Sequence, residues 1–201
     1  PSAMTIFNRS MINLDNEFGR LGSYDLNKLV NSSLKSNIRY YSVGRIKTTE
    51  NHKNEFFKDY HLDFNIDTDS VYEYARHQII ISNNKMDIFV YDYGDDLKYK
   101  SSFQSLSTRN KNHNLPFDLE INDIGNYDNK DELVKEIVFL PLRNVIENYI
   151  YLLDLKQYTL PSNAGSSGYS SGSDLIQLSL DLSNYKIAED YLTALISFYD
   201  I

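Results

Sequence analysis

Residues 76–94, RHQIIISNNKMDIFVYDYG, constrain the fold more than any other part of this chain. Two runs rich in Ile, Val, Phe and Tyr flank Asn83 and Asn84, and β-branched and aromatic residues favour extended backbone. Asparagine tolerates the positive φ that a two-residue type I′ turn requires at both central positions. The stretch therefore predicts an antiparallel hairpin with strands over 71–82 and 85–93. Gly94, Asp95 and Asp96 form the next turn, and 97–106 add a third strand.

The flanking sequence supplies further strands and a covering helical layer. Over 5–35 the apolar residues Ile6, Phe7, Met11, Ile12, Leu14, Phe18, Leu21, Leu26, Leu29, Val30 and Leu34 recur mostly every three or four positions, which predicts helix. Gly19 and Gly22 divide it into two short helices, with Ser23 or Asp25 capping the second. Segments 37–46 and 56–66 return to a strand-like composition, and 115–121 alternates as a half-buried strand does. Leu133, Val134, Ile137 and Val138 predict a helix capped by Asp128 or Asn129 and interrupted at Pro141. A last helix of this region starts at Leu142 and carries Val145, Ile146, Tyr149, Ile150, Leu152 and Leu153. The predicted fold is α+β: an antiparallel sheet of about five to six strands, including the hairpin at 71–93, with N-terminal helices and a C-terminal helical layer.

The chain reads as one main domain over 4–161, with 1–3 as a cloning scar. Residues 162–173, SNAGSSGYSSGS, hold three of the chain's eight glycines and six serines, the composition of a flexible coil. They read either as a natural low-complexity loop or as an engineered tether. The tail, 174–201, alternates as a strand and then places Ile187, Tyr191, Leu192, Leu195, Ile196 and Tyr199 on one helical face. A piece this short cannot offset its chain entropy alone, so it must dock on the rest. It is either the domain's own last elements or a fused partner segment.

Lys and Arg number 20 against 28 Asp and Glu, a net charge of −8. Such a field repels polyanions unless positive charge is segregated. Arg39, Arg45 and Lys47, with Lys98, Lys100, Arg109 and Lys111, make only a weak patch, so nucleic acid is not the expected partner. The absence of cysteine removes disulfides and thiolate zinc sites and is compatible with a reducing compartment. Neither an export signal nor an 18-residue apolar run is present, so the expected location is intracellular, in cytoplasm or nucleus, and no membrane partner is expected.

Few motifs point to chemistry. Asp63, Asn65, Asp67 and Asp69 occupy the odd positions of a calcium loop, but Thr68 and Tyr74 stand where that loop needs Gly and Glu. His61 with Asp63, joined by His77 and His113, could build a metal or catalytic site, although four histidines are also ordinary surface and core residues. No GxSxG elbow or phosphate loop appears: GRLG at Gly19 and Gly22 lacks the lysine and the strand-to-helix setting. The reading is of no catalytic residue, no metal and no cofactor. The pattern that stands out is aromatic: Tyr72, Tyr74, Tyr91 and Tyr93 fall on two strands expected to pair, as core cover or as a recognition surface.

These features predict a non-catalytic protein–protein interaction subunit or adaptor of an intracellular assembly, whose partner is another protein or a helical peptide. Its expected interaction residues are Tyr72, Tyr74, Tyr91 and Tyr93 with Tyr191, Leu192, Leu195 and Tyr199 of the tail. Two alternatives stay open: a small acidic inhibitor or immunity protein that neutralises a basic toxin or nuclease, and an enzyme of unfamiliar type using His61, His77 or His113.

Overall fold

The computed structural model describes residues 2–8, 14–107, 114–127, 132–158 and 175–200. It divides into a first unit formed by residues 1–34 and 146–201 and a second formed by 35–145. The elements in chain order are β1 (Ser2–Asn8), α1 (Leu14–Leu21), α2 (Tyr24–Leu34), β2 (Ile38–Val43), β3 (Thr48–Asn51), β4 (Asp59–Phe64), β5 (Ala75–Ser82), β6 (Lys85–Tyr91), β7 (Leu97–Phe103), β8 (Phe117–Asp123), β9 (Leu133–Phe139), α3 (Leu142–Leu152), β10 (Leu153–Gln157), β11 (Leu175–Asp181) and α4 (Tyr185–Tyr199). The α+β class is as the sequence predicts.

The second unit is built on a six-stranded antiparallel sheet in the order β3-β2-β9-β5-β6-β7. Its centre is the anticipated hairpin, with Ser82 opposite Lys85 and positive φ of 49° and 61° at Asn83 and Asn84. These values suit the I′ turn, whose twist matches that of the strands it joins. Strands β4 and β8 form a separate two-stranded ladder. Phe117, Leu119 and Ile121 of β8 share one buried cluster with Ile79, Ile81, Met86, Ile88, Ile137 and Phe139 of the large sheet. Antiparallel register puts opposed residues on one face. The row Tyr40, Ile137, His77, Val90, Tyr99 and the row Ser42, Lys135, Ile79, Ile88, Ser101 therefore face this core, while Arg39, Val138, Arg76 and Tyr91 line the other face.

In the first unit β11 lies between β1 and β10, antiparallel to both. Helix α4 packs on β1, β11, α1 and α2. Ser23 accepts from the Leu26 N–H at the start of α2, as the capping pattern predicts. The tail's alternation is realised: Ile176, Leu178 and Leu180 are buried on one side of β11.

Four local expectations are corrected. Residues 133–139, predicted as helix, form β9 between β2 and β5. LVKEIVF has apolar residues at helical offsets, but it is a short run rich in β-branched residues, and a central strand buried on both faces shows no clean alternation. Residues 5–8 are strand rather than helix, paired with β11, and Ser2 and Ala3 stand in the same ladder opposite Asp181 and Leu180. The helix from Leu142 stops at Leu152, and Leu153 opens β10. The first hairpin strand starts at Ala75, after a single 3-10 turn at Thr68–Ser70, so Tyr72 and Tyr74 precede it. Strand β3 was not anticipated, since TTEN carries no apolar residue. Residues 162–173, Asp128, Asn129, Arg109, Lys111 and His113 lie outside the described residues.

Candidate functional site

The end of the hairpin away from its turn gathers most of the anticipated tyrosines. Arg76 of β5 stands opposite Tyr91 of β6, and its guanidinium lies 4.5 Å from that ring's centre. The same guanidinium binds Glu136 of β9 through Nη1 and Asp95 through Nη2, each at 2.7 Å. A hydrogen bond joins Arg76 to Tyr74, whose ring meets Tyr93 edge-on at 5.7 Å and 87°. Burial, the largest cause, holds the Tyr74 hydroxyl above its ordinary pKa, so it stays protonated.

Tyr93 and Tyr72 are 87% and 82% exposed, and Leu97, which stands opposite Tyr91, is over half exposed. The Asp92 carboxylate shapes the adjoining turn by accepting from the Gly94 and Asp96 N–H groups at 2.9 and 3.1 Å. Asp95 there takes a positive φ of 60°. The result is a rigid aromatic group beside an acidic turn of Asp92, Asp95 and Asp96. Aromatic edges and Arg held by carboxylates lose little conformational entropy when a partner docks, which is why such groups serve as anchors.

The other four anticipated residues are placed differently. Tyr191, Leu192, Leu195 and Tyr199 are all buried in the first unit. The Tyr191 hydroxyl donates to Asn27 Oδ1, and its ring lies 4.5 Å from that of Tyr149. Arg20 stacks over Tyr199 at 4.8 Å. These side chains dock the tail on its own unit. Nearby, an open pocket of about 590 Å³ is lined by α1, the start of α2 and the end of α4.

Histidine and carboxylate candidates do not converge. His61 is exposed on β4 and pairs with Asp63 at 3.0 Å, whereas His77 is sealed in the core between the Phe117 and Phe139 rings at 5.2 and 5.1 Å. Asp67 caps the 3-10 turn, accepting from the Asp69 N–H and the Ser70 hydroxyl, and Asn65 donates to Asp118. Among the described residues no group of three His, Asp or Glu side chains is disposed to hold a metal ion. Three of the anticipated basic residues are tied to carboxylates: Arg39 to Glu50 at 2.6 Å, Lys98 to Asp92 at 2.7 Å and Lys100 to Asp87 at 3.7 Å. Among the described residues no helix is long and apolar enough to cross a membrane.

Sequence reasoning missed one group altogether. Lys135 of β9 points to the core face, where its Nζ donates to Ser42 Oγ at 2.7 Å, and Ser42 donates to Asn51 Oδ1 at 2.5 Å. The Phe57 and Phe56 rings lie 5.3 and 5.6 Å from Nζ. Burial lowers its pKa below the usual lysine range. The only sequence signal is a lysine inside an apolar β-rich run. Because the charged form is disfavoured in the fold, its penalty is present at neutral pH and is relieved as pH rises toward the ordinary value of 10.5. Lys135→Met is therefore expected to stabilise the protein at pH 7 by about 1 kcal/mol, a figure kept small because the group is only half-buried. The gain shrinks as pH rises, and thermal unfolding at pH 7 and pH 9.5 measures it. A lower melting temperature at pH 7 would contradict the assignment.

Neither a known protein family nor a curated protein matches the chain.

Proposed function

We propose that the protein is a non-catalytic interaction subunit of an intracellular assembly, and that it docks a lysine- or arginine-bearing segment of another protein on the Tyr72, Tyr74, Tyr91 and Tyr93 surface. The observation that carries this reading is the pair Tyr72 and Tyr93, both more than four-fifths exposed while Tyr74 and Arg76 hold the base beneath Tyr93 rigid. Large aromatic side chains left in water can serve as interface anchors. The chain carries −8 overall, so a cationic partner is attracted at distance and its ammonium or guanidinium groups can settle on the ring faces. A helical peptide with basic residues on one face fits this chemistry.

The test is a photo-reactive amino acid at position 93 to identify the partner in cells, followed by affinity measurement with purified components. Tyr72→Ala combined with Tyr93→Ala is expected to weaken binding by about 100-fold, two anchors at about 1.4 kcal/mol each. The association rate should also fall as salt is raised. Both side chains are exposed, so the double variant is expected to fold normally. Unchanged affinity in it, or binding indifferent to salt, would overturn the reading. The net charge of −8 equally suits an inhibitor of a basic toxin or nuclease, and loss of that partner's enzymatic activity on binding would single out this form of the function.

A further inference from the structure

We propose that the first unit carries a binding site for a small organic monocarboxylate with an apolar body, in the cavity formed by α1, the start of α2 and the end of α4. All of its lining residues belong to that unit, so the site does not rest on the docking reading of Tyr72, Tyr74, Tyr91 and Tyr93 in the second. Its volume of about 590 Å³ falls in the range of small-molecule sites and far exceeds what a bare ion needs. Leu26, Phe198 and Tyr199 give it apolar walls that suit a hydrocarbon or aryl body. The stretch GRLG, residues 19–22, is explained by the fold only in part. Gly22 has a backbone reason: a Cβ there would lie 3.3 Å from the Phe18 carbonyl oxygen, which accepts the Gly22 N–H at 2.9 Å. Gly19 has none. It sits inside α1 without a positive φ, and a Cβ there would meet no atom within 4 Å. Glycine inside a helix is destabilising relative to alanine, and nothing in the packing of α1 requires it. Because Gly19 lines the cavity, its missing side chain keeps that wall open to the backbone, where a bound molecule can approach α1 closely.

The charges lining the cavity define the ligand's polar end. Arg20 is held over the Tyr199 ring at 4.8 Å, and among the described residues no carboxylate pairs with it. Its planar fork of N–H donors matches a carboxylate. Ser23, whose N–H donates to the Arg20 carbonyl at 3.1 Å, lines the cavity beside it. The Ser23 Oγ accepts from the Leu26 N–H at 3.4 Å, which leaves its own proton to donate to a ligand. Asp15 also lines the cavity, about 7.5 Å back along the axis of α1 from Arg20. One ligand carboxylate is met by Arg20 and Ser23, whereas a second at the other end would meet Asp15 and be repelled. The site therefore favours a monocarboxylate over both its neutral amide and a dicarboxylate.

The experiment titrates the full chain with 4-phenylbutanoate, 4-phenylbutanamide and phenylsuccinate, and follows the N–H signals of Gly19, Arg20 and Leu26 by nuclear magnetic resonance. The monoacid is expected to move these signals to saturation, with a dissociation constant about tenfold below that of the amide, and phenylsuccinate to bind no better than the amide. Arg20→Gln is expected to bring the monoacid to the level of the amide. Gly19→Leu is expected to abolish binding while keeping the helical signal and the melting temperature, since leucine is the better helix former and its Cβ meets open space. The wild-type comparison decides even where a variant folds poorly: equal binding of monoacid and amide, or no movement of these signals up to about 10 mM monoacid, overturns the proposal. A folded Gly19→Leu protein that binds as the wild type does overturns it as well, and phenylsuccinate binding as tightly as the monoacid overturns the selection by Asp15.

Discussion

Acidification from neutral pH to pH 4 is expected to cost the second unit about 3 kcal/mol through His77 alone, and His77→Phe is expected to abolish most of that dependence. The imidazole is 2% exposed on the core face of β5. Burial, the largest cause, lowers its pKa from 6.5 to about 4, against the opposing effect of a ring hydrogen bond to Ile137. The sign follows from which state binds the proton first. As pH falls through 6.5 the unfolded chain is protonated while the folded one is not, so stability is full above 6.5 and is lost progressively down to the folded value near 4. At about 1.4 kcal/mol per pH unit that interval yields the figure above. Phenylalanine keeps the edge-on aromatic contacts with Phe117 and Phe139, and it removes a ring nitrogen, Nδ1, that has no hydrogen-bond partner. Urea unfolding of both proteins between pH 7.5 and pH 4 measures the difference, in which the titration of every other group cancels. Parallel curves would show that His77 is protonated within the fold and would refute its burial as a neutral group.

The same residue shows what the sequence could and could not reveal. His77 stands inside RHQIII, and period-two alternation with Ile79 and Ile81 marks it as inward-facing once the hairpin is accepted. Its neighbours come from β8 and β9, at distances in sequence that no local pattern reports. The hairpin itself was legible because turn chemistry and strand composition agree at one place. The segment 133–139 was not, because a central strand covered on both faces loses its alternation, and its apolar residues then fit a helical offset equally well. The N-terminal strand failed for a related reason: Thr5, Ile6 and Phe7 become strand by pairing with β11, which is about 170 residues away.

The candidate site was legible in its composition and only partly in its geometry. Tyr91 was placed by the hairpin register, but Tyr93 stands past the end of β6 in the following turn, and the aromatic group depends on Tyr74 leaving the strand line to meet it and on Arg76 bridging Glu136 to Asp95. The Arg76 bridge spans three chain segments. The hydrogen-bond chain from Lys135 through Ser42 to Asn51 is hidden for the same reason, since Ser42 and Asn51 reach Lys135 only through the pairing of β2 with β3 and β9. Pairings between distant strands are set by burial of the whole sheet, and a single sequence carries no separate signal for them.

Deleting residues 175–201 is expected to unfold the first unit, whereas cutting the chain within 162–173 is expected to leave the tail bound. Strand β11 is the central strand of its sheet, so its removal strips β1 and β10 of the ladder they share. Isolated edge strands have no independent stability in water. Removal also exposes the surfaces that Ile176, Leu178, Leu180, Tyr191, Leu192, Leu195 and Tyr199 cover, each worth about 1.5–3 kcal/mol of burial, or on the order of 10 kcal/mol together before chain ordering is subtracted. The Tyr191 hydroxyl adds a specific lock, because without it the buried Asn27 Oδ1 loses the proton it accepts. Tyr191→Ala alone is expected to cost about 3–5 kcal/mol. A protease site introduced within 162–173, followed by cleavage, size-exclusion chromatography and mass spectrometry, tests the docking directly. Co-elution of the tail after dilution to micromolar concentration is the expected result. A tail that leaves while the remainder keeps its helical signal would show that α1 and α2 do not need β11 and α4, and the burial argument would fail. If a synthetic copy of 174–201 displaces the cleaved tail, the groove between β1 and β10 is itself a strand-accepting site, held by backbone pairing with alternate side chains buried below.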